Sequence, residues 1–227
     1  MNFSKLDAFL DDMPKRGYPG CELGVAVNGE VVYRKSVGYA DHNKTRPLSG
    51  KDISWIFSCS KVITCLAAMR LVDEGRISLE DPVSKYIPEY AHLTVRDKAT
   101  GEICKANTPM TVEHLFTMRG GMSYDLDAAP IAEARAKEGA TTLDLVKAMA
   151  RVPLTFHPGE HFCYSLCHDV LAAVCEVASG MRFSDYLQTY FLTRSASVIS
   201  AFARAKSKER ASAISTPTKT ARISPFP

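Results

Sequence analysis

Ser58-Cys59-Ser60-Lys61 sets a hydroxyl and an amine three residues apart at the mouth of an apolar helix. Residues i and i+3 lie on one face of a helix, so the two side chains can meet. A serine hydroxyl is a poor nucleophile until a neighbouring base takes its proton. A lysine becomes that base when partial burial or a nearby cation lowers its pKa. The unpaired N–H groups of the helix start point at any oxyanion formed there. The spacing therefore points to acyl transfer through a serine ester. The four-residue pattern also arises by accident, a lysine near a helix start is ordinarily solvated, and Ser60 reads equally well as an N-cap.

Other reactive residues form weaker patterns. Cys163 and Cys167 lie near His157, His161 and His168, but no second cysteine pair at ligand spacing completes a zinc site. A Ser-His-Asp triad through His168 and Asp169 is rejected, because Ser58 already has Lys61 and Asp169 reads as the N-cap of the next helix. His114, inside a helical segment, reads as a packing or surface residue.

The elements that must position these groups follow from periodicity and turn chemistry. Leu6, Phe9, Leu10 and Met13 have helical spacing, closed by Pro14 and Gly17. Cys21–Val27 and Glu30–Val37 read as strands joined by an Asn28-Gly29 hairpin turn. Ser58–Glu74 reads as an apolar helix capped by Gly75. A short helix stopping at Pro88, a hairpin-like excursion over 96–107 and helices over 112–118 (capped by Thr111), 128–137, 142–151 and 169–177 follow. The order of two strands and then mostly helix predicts an α+β fold with a helical insertion.

Composition bounds the chain as an ordinary globular protein, with 46% hydrophobic and 23% charged residues. No apolar leader follows Met1, no stretch is long enough to span a bilayer, and seven scattered cysteines read as reduced thiols. A cytoplasmic location is expected, with no membrane and no nucleic-acid partner; the sequence leaves oligomeric state open.

Several ordered blocks resemble one family. They are Pro19-Gly20 with Gly24–Tyr33 and Gly38–Asp41; Ile56–Lys61; Leu71–Val83; Thr111–Met118 with Gly120-Gly121-Met122; and Phe156-His157-Pro158-Gly159-Glu160 followed by Tyr164-Ser165. Together they resemble the serine β-lactamase-related hydrolases: class C β-lactamases, D-Ala-D-Ala carboxypeptidases and the esterases of the same fold. The resemblance implies a β-lactamase/penicillin-binding-protein-like α+β fold, an antiparallel sheet with flanking helices plus a helical subdomain. It implies Ser58 as nucleophile, with Lys61 and Tyr164 moving its proton, no cofactor, and a small ester, amide or β-lactam substrate. Two departures stand out. Arg119-Gly120 replaces the family's Thr-Ser, and Leu166 stands where the tyrosine motif commonly has Asn. Leucine cannot donate an amide hydrogen bond to a substrate carbonyl, which leans away from β-lactams and towards an esterase or peptidase.

The expected division is 1–60 for the sheet part with the hairpin, 61–192 for the nucleophile helix and helical subdomain, and 193–227 for an atypical tail. Seven basic residues against one acidic residue set that tail apart, while residues 1–192 carry 21 basic and 24 acidic groups. Codons able to encode Thr193–Val198, moved by one base, read Asp or Asn followed by Pro-Leu-Gly-Val-Gly, the turn the resemblance leads one to expect. The tail is thus expected to be out of frame and disordered, and the fold C-terminally truncated; the alternative is a natural basic, Ser/Ala-rich disordered tail. The family's K-T-G-like strand is missing, Lys219-Thr220-Ala221 matching in letters only. A hairpin without partner strands would keep an open edge and an uncovered apolar face. Two rival readings remain: a catalytically inactive fragment or interaction module of the same family, and a small zinc-binding protein.

Overall fold

The computed structural model describes residues 1–50, 52 and 56–192. What the sequence suggests of residues 193–227, the frame of the tail and Lys219-Thr220-Ala221 included, lies outside the described residues. Two compact units divide between residues 55 and 56. Ser58, Lys61 and Tyr164 therefore belong to one unit.

In the first unit α1 (Ser4–Asp12) accompanies a hairpin of β1 (Gly20–Val27) and β2 (Glu30–Gly38). Asn28 and Gly29 both take positive φ, 52° and 84°. That is the two-residue turn whose twist matches antiparallel strands, and the sequence Asn-Gly favours it. Pairing runs from Gly20 opposite Gly38 to Val27 opposite Glu30, with an irregularity between Val25 and Ala26. The helix meets the hairpin through aromatic and ionic contacts: the Phe3 and Tyr33 rings lie 4.7 Å apart, and Asp7 accepts from both Tyr33 Oη and Lys35 Nζ at 3.0 Å. Among the described residues β1 and β2 pair only with each other, and Val27, Val31 and Val32 are exposed.

The second unit is mainly helical: α2 (Ser60–Asp73), α3 (Val112–Phe116), α4 (Ala129–Arg135), α5 (Thr142–Met149), α6 (Cys167–Ser179) and α7 (Phe183–Leu187), the last running into a π turn, Gln188–Leu192. A short hairpin, β3 (Thr94–Arg96) with β4 (Ile103–Lys105), fills the predicted excursion. The α+β reading holds. No helix among the described residues is long and apolar enough to cross a membrane.

Packing explains why α2 and α6 form the spine. Ala67, Ala68 and Leu71 of α2 and Val170, Leu171, Ala173 and Val174 of α6 have no accessible surface. Small residues on α2 let the two axes approach, and Leu71 alone contributes roughly 1.5–3 kcal/mol of burial. Tyr186 of α7 covers the end of this core, its hydroxyl aimed at the Ala67 carbonyl, while Arg70 of α2 lies 3.6 Å over the Tyr190 ring.

Several expected helix starts are corrected. Asp169 is not an N-cap; α6 begins at Cys167 after Leu166, whose side chain makes no capping bond, and Asp169 sits in the first turn. Burial of Leu166, Cys167 and Val170 fixes that start in place of a polar cap. Ser60 does not cap α2 either: its hydroxyl donates to the Phe57 carbonyl at 2.6 Å. His114 is more than a packing residue. Its Nδ1 accepts the Thr111 N–H while its own N–H donates to Thr111 Oγ1, a capping box with imidazole in the place usually held by Glu or Gln.

Candidate active site

The segment that carries Ser58 and Lys61 is built from a tight turn that runs into a core-anchored helix. Phe57, Ser58 and Cys59 form one 3-10 turn leading into α2. Phe57 takes φ +43°, a left-handed conformation that a bulky residue adopts at a cost of about 1–3 kcal/mol and that is found where function over-determines the backbone. Ser58 is exposed and Lys61, one turn into α2, is half-buried.

Tyr164 arrives from the loop that joins Leu154 to α6. That loop starts from a fixed point, because Leu154 donates to Thr94 O at 2.7 Å and accepts from the Arg96 N–H at 2.8 Å. Its far side is zipped to the segment after α3. The Thr155 N–H donates to Gly121 O at 2.8 Å, the Gly159 N–H to Arg119 O at 2.8 Å and the Cys163 N–H to Met118 O at 3.0 Å. Gly121, at φ +80°, cannot carry a side chain here, since a Cβ would stand 2.2 Å from the Phe156 carbonyl oxygen.

The three residues expected from sequence come together. Tyr164 Oη lies 2.5 Å from Ser58 Oγ, and Lys61 Nζ lies 5.0 Å from the centre of the Tyr164 ring. A fourth residue joins them. Tyr124 stacks on Tyr164 at 5.5 Å with 22° between the planes, and Lys61 Nζ is 5.5 Å from its centre. Sequence reasoning missed Tyr124; the signal available was an aromatic placed three residues after Gly120-Gly121 in a polar loop.

Electrostatics separates the two proton-bearing groups. At Lys61, burial pulls the pKa down, but the Tyr164 hydroxyl and negative charge on Tyr124, Tyr164 and Asp169 outweigh it, and the net shift is upward. At Tyr164 the hydrogen bond with Ser58, opposed by burial and helped by Lys61, lowers the phenol below its ordinary value. Lys61 is therefore held as a cation, and Tyr164 is drawn towards phenolate. A lysine lowered by burial, the first expectation, is not what the geometry yields. The cluster is suited to moving a proton between the Ser58 and Tyr164 oxygens beside a fixed positive charge.

The remaining candidates lie in other arrangements. His168 is buried, within 3.2 Å of the Phe116 carbonyl and 3.7 Å of Cys65 Sγ, and burial lowers its pKa. His157 Nδ1 accepts the Asn107 N–H, and His161 sets its edge against Phe156. The Cys163 thiol donates to Tyr164 O, whereas Cys167 is buried beside Ser165. Leu166 is 4% exposed and packs in the core, so its side chain offers the cluster no polar group.

Residues 6–223 match the family description "Beta-lactamase". The chain is similar to esterase EstB of Burkholderia gladioli, with 31% identity over 187 residues that cover 78% of this chain and 45% of EstB. Among solved structures it is similar to EstCE1, a hydrolase with promiscuous acyltransferase activity, at TM-score 0.70 and 26% identity, covering 84% of this chain and 50% of EstCE1. It is similar also to the octameric penicillin-binding protein homologue from Pyrococcus abyssi, at TM-score 0.65 and 29% identity over 85% of this chain and 43% of that one. The chain spans about half the length of these relatives.

Proposed function

Since the chain belongs to the beta-lactamase family, we propose that it is a serine hydrolase that cleaves carboxylic esters through an acyl-enzyme on Ser58. The observation that carries this reading is the 2.5 Å approach of Tyr164 Oη to Ser58 Oγ beside the Lys61 cation. Tyr164, as phenolate, accepts the Ser58 proton while Oγ attacks the ester carbonyl carbon. Lys61 keeps its proton and stabilises the phenolate, which is why the upward shift at Lys61 and the downward shift at Tyr164 belong to one device. The Ser58 N–H, at the entry to α2, donates to the oxyanion of the tetrahedral intermediate. Collapse expels the alcohol, which takes the proton from Tyr164 Oη. Water then attacks the acyl carbonyl, giving one proton to Tyr164 and returning it to Ser58 Oγ as the acid leaves.

Two observations favour an ester over a β-lactam or peptide. Leu166 replaces an amide side chain and is buried, so nothing at that position hydrogen-bonds a substrate amide. Exposed Phe57, Tyr124 and Tyr164 surround the nucleophile with aromatic surface suited to an apolar acyl or alcohol group. EstB, an esterase by name, supports the same class.

The test is covalent labelling of the full chain with a fluorophosphonate, read by intact-protein mass spectrometry, followed by short-chain p-nitrophenyl esters and a chromogenic cephalosporin. One adduct, lost in Ser58→Ala, with ester turnover exceeding cephalosporin turnover is expected. A folded chain that takes no label would overturn the proposal in favour of an inactive or interaction module of the same family.

A further inference from the structure

We propose that Arg119 is a positioning residue for this site, clamping Gly159 so that the loop beyond it delivers the Tyr164 phenol oxygen to Ser58. The inference rests on the reading of Ser58 and Tyr164 given above.

Arg119 engages both polar groups of Gly159. Its backbone carbonyl accepts the Gly159 N–H at 2.8 Å, and its guanidinium donates to the Gly159 carbonyl. Its own N–H donates to the His114 carbonyl at 2.8 Å, which fastens the clamp to α3. The Tyr164 loop is thus pinned at three places, Thr155 to Gly121, Gly159 to Arg119 and Cys163 to Met118. All three places carry a backbone pair, so a substitution at 119 removes the guanidinium bond alone, loosening the middle of the loop while the backbone pairs stay in place. Among the described residues no carboxylate pairs with Arg119. A charged side chain is committed instead to a neutral carbonyl, a hydrogen bond stronger than a neutral pair and directional in a way lysine cannot copy.

The backbone is pinned beside Tyr164 at Cys163, but the Tyr164 side chain itself is only loosely held. Its ring is 45% exposed, and its neighbours are Ser58, Lys61 and Tyr124. Proton transfer depends on holding the two oxygens within hydrogen-bond reach. The charges that act on Tyr164 come from Lys61 on α2 and Asp169 on α6, with the Ser58 hydrogen bond the largest influence. The effect of Arg119 on Tyr164 travels through the loop's position.

The experiment compares the full chain with Arg119→Met and Arg119→Lys. Three readings are taken: fluorophosphonate labelling rate against pH, thermal melting, and amide hydrogen exchange of Gly159 and Cys163. In Arg119→Met, labelling is expected to slow about tenfold, and the pH at which it rises to move upward as Tyr164 loses its Ser58 contact. Exchange at Gly159 should quicken about tenfold without global unfolding. Arg119→Lys should fall between the two. Unchanged rate, midpoint and exchange in Arg119→Met overturn the inference. So does a slower rate that merely follows a smaller folded fraction with an unmoved midpoint. If Arg119→Met fails to fold, Arg119→Lys decides, and wild-type values in it overturn the clamp. Should the parent chain not label at all, the hydrolase reading fails, while the exchange data still test the clamp.

Discussion

The two sides of the site are held in opposite ways. Ser58 and Lys61 sit on or beside α2, whose other face, Thr64, Ala67, Ala68 and Leu71, is buried against the core. Tyr164 hangs on a loop fastened by backbone hydrogen bonds to the segment 118–121. The helix side cannot move unless the core yields, whereas the loop side can shift while the core stays intact. Stability and the Ser58–Tyr164 contact are therefore separable in this molecule, and substitutions on each side should report the difference.

The largest effect is expected on the helix side. Leu71→Ala removes a fully buried side chain at the α2–α6 contact and should cost about 2–5 kcal/mol. Melting temperature and Ser58 labelling should fall together, and labelling that survives in a strongly destabilised protein would contradict the helix-held picture. Next comes Gly121→Ala on the loop side. The new Cβ meets the Phe156 carbonyl in a left-handed position, at about 1–3 kcal/mol. Here the labelling rate should drop by more than the loss of folded protein explains, measured as rate per folded molecule at a temperature below the melt. The smallest effect concerns acid. Burial lowers the pKa of His114, whose Nδ1 must stay unprotonated to accept the Thr111 N–H. The unfolded chain binds that proton more readily, so stability is full above the ordinary histidine value and declines as pH falls through and below it, from about pH 7 to 5. His114→Gln keeps an acceptor in the capping box and should flatten that decline in melting temperature; an unchanged slope would assign the decline to His168 alone, which burial also keeps neutral.

How much of this could be read from sequence depends on how local the cause is. The Asn28-Gly29 turn and the Thr111 cap are local, and each appears where the sequence puts it; the expected helix from Ser58 instead begins at Ser60, with Ser58 in the 3-10 turn before it. Tyr164 was reachable through the resemblance of whole motif blocks, since no spacing rule links residue 164 to residue 58. Asp169 was misread because polar residues are the usual helix starts, while α6 starts on buried Leu166 and Cys167. Arg119 showed in sequence only as a departure from Thr-Ser. Its partner lies forty residues away, on a loop whose path is set by Gly121 and the Leu154 anchor. Tyr124 escaped notice for the same reason: stacking on Tyr164 depends on where two loops are brought, not on either segment alone.

The backbone zipper between 118–121 and 155–163 has a consequence for how such a site can diversify. Main-chain hydrogen bonds exist whatever side chains the residues carry, apart from glycine and proline constraints. Exposed residues of the zipped segment such as Phe162 can thus exchange their side chains while the loop path, and with it the Tyr164 oxygen, is retained. Mutational drift or laboratory selection can therefore sample new side chains around an unchanged Ser58–Tyr164 contact, and a library confined to such positions should be rich in folded variants.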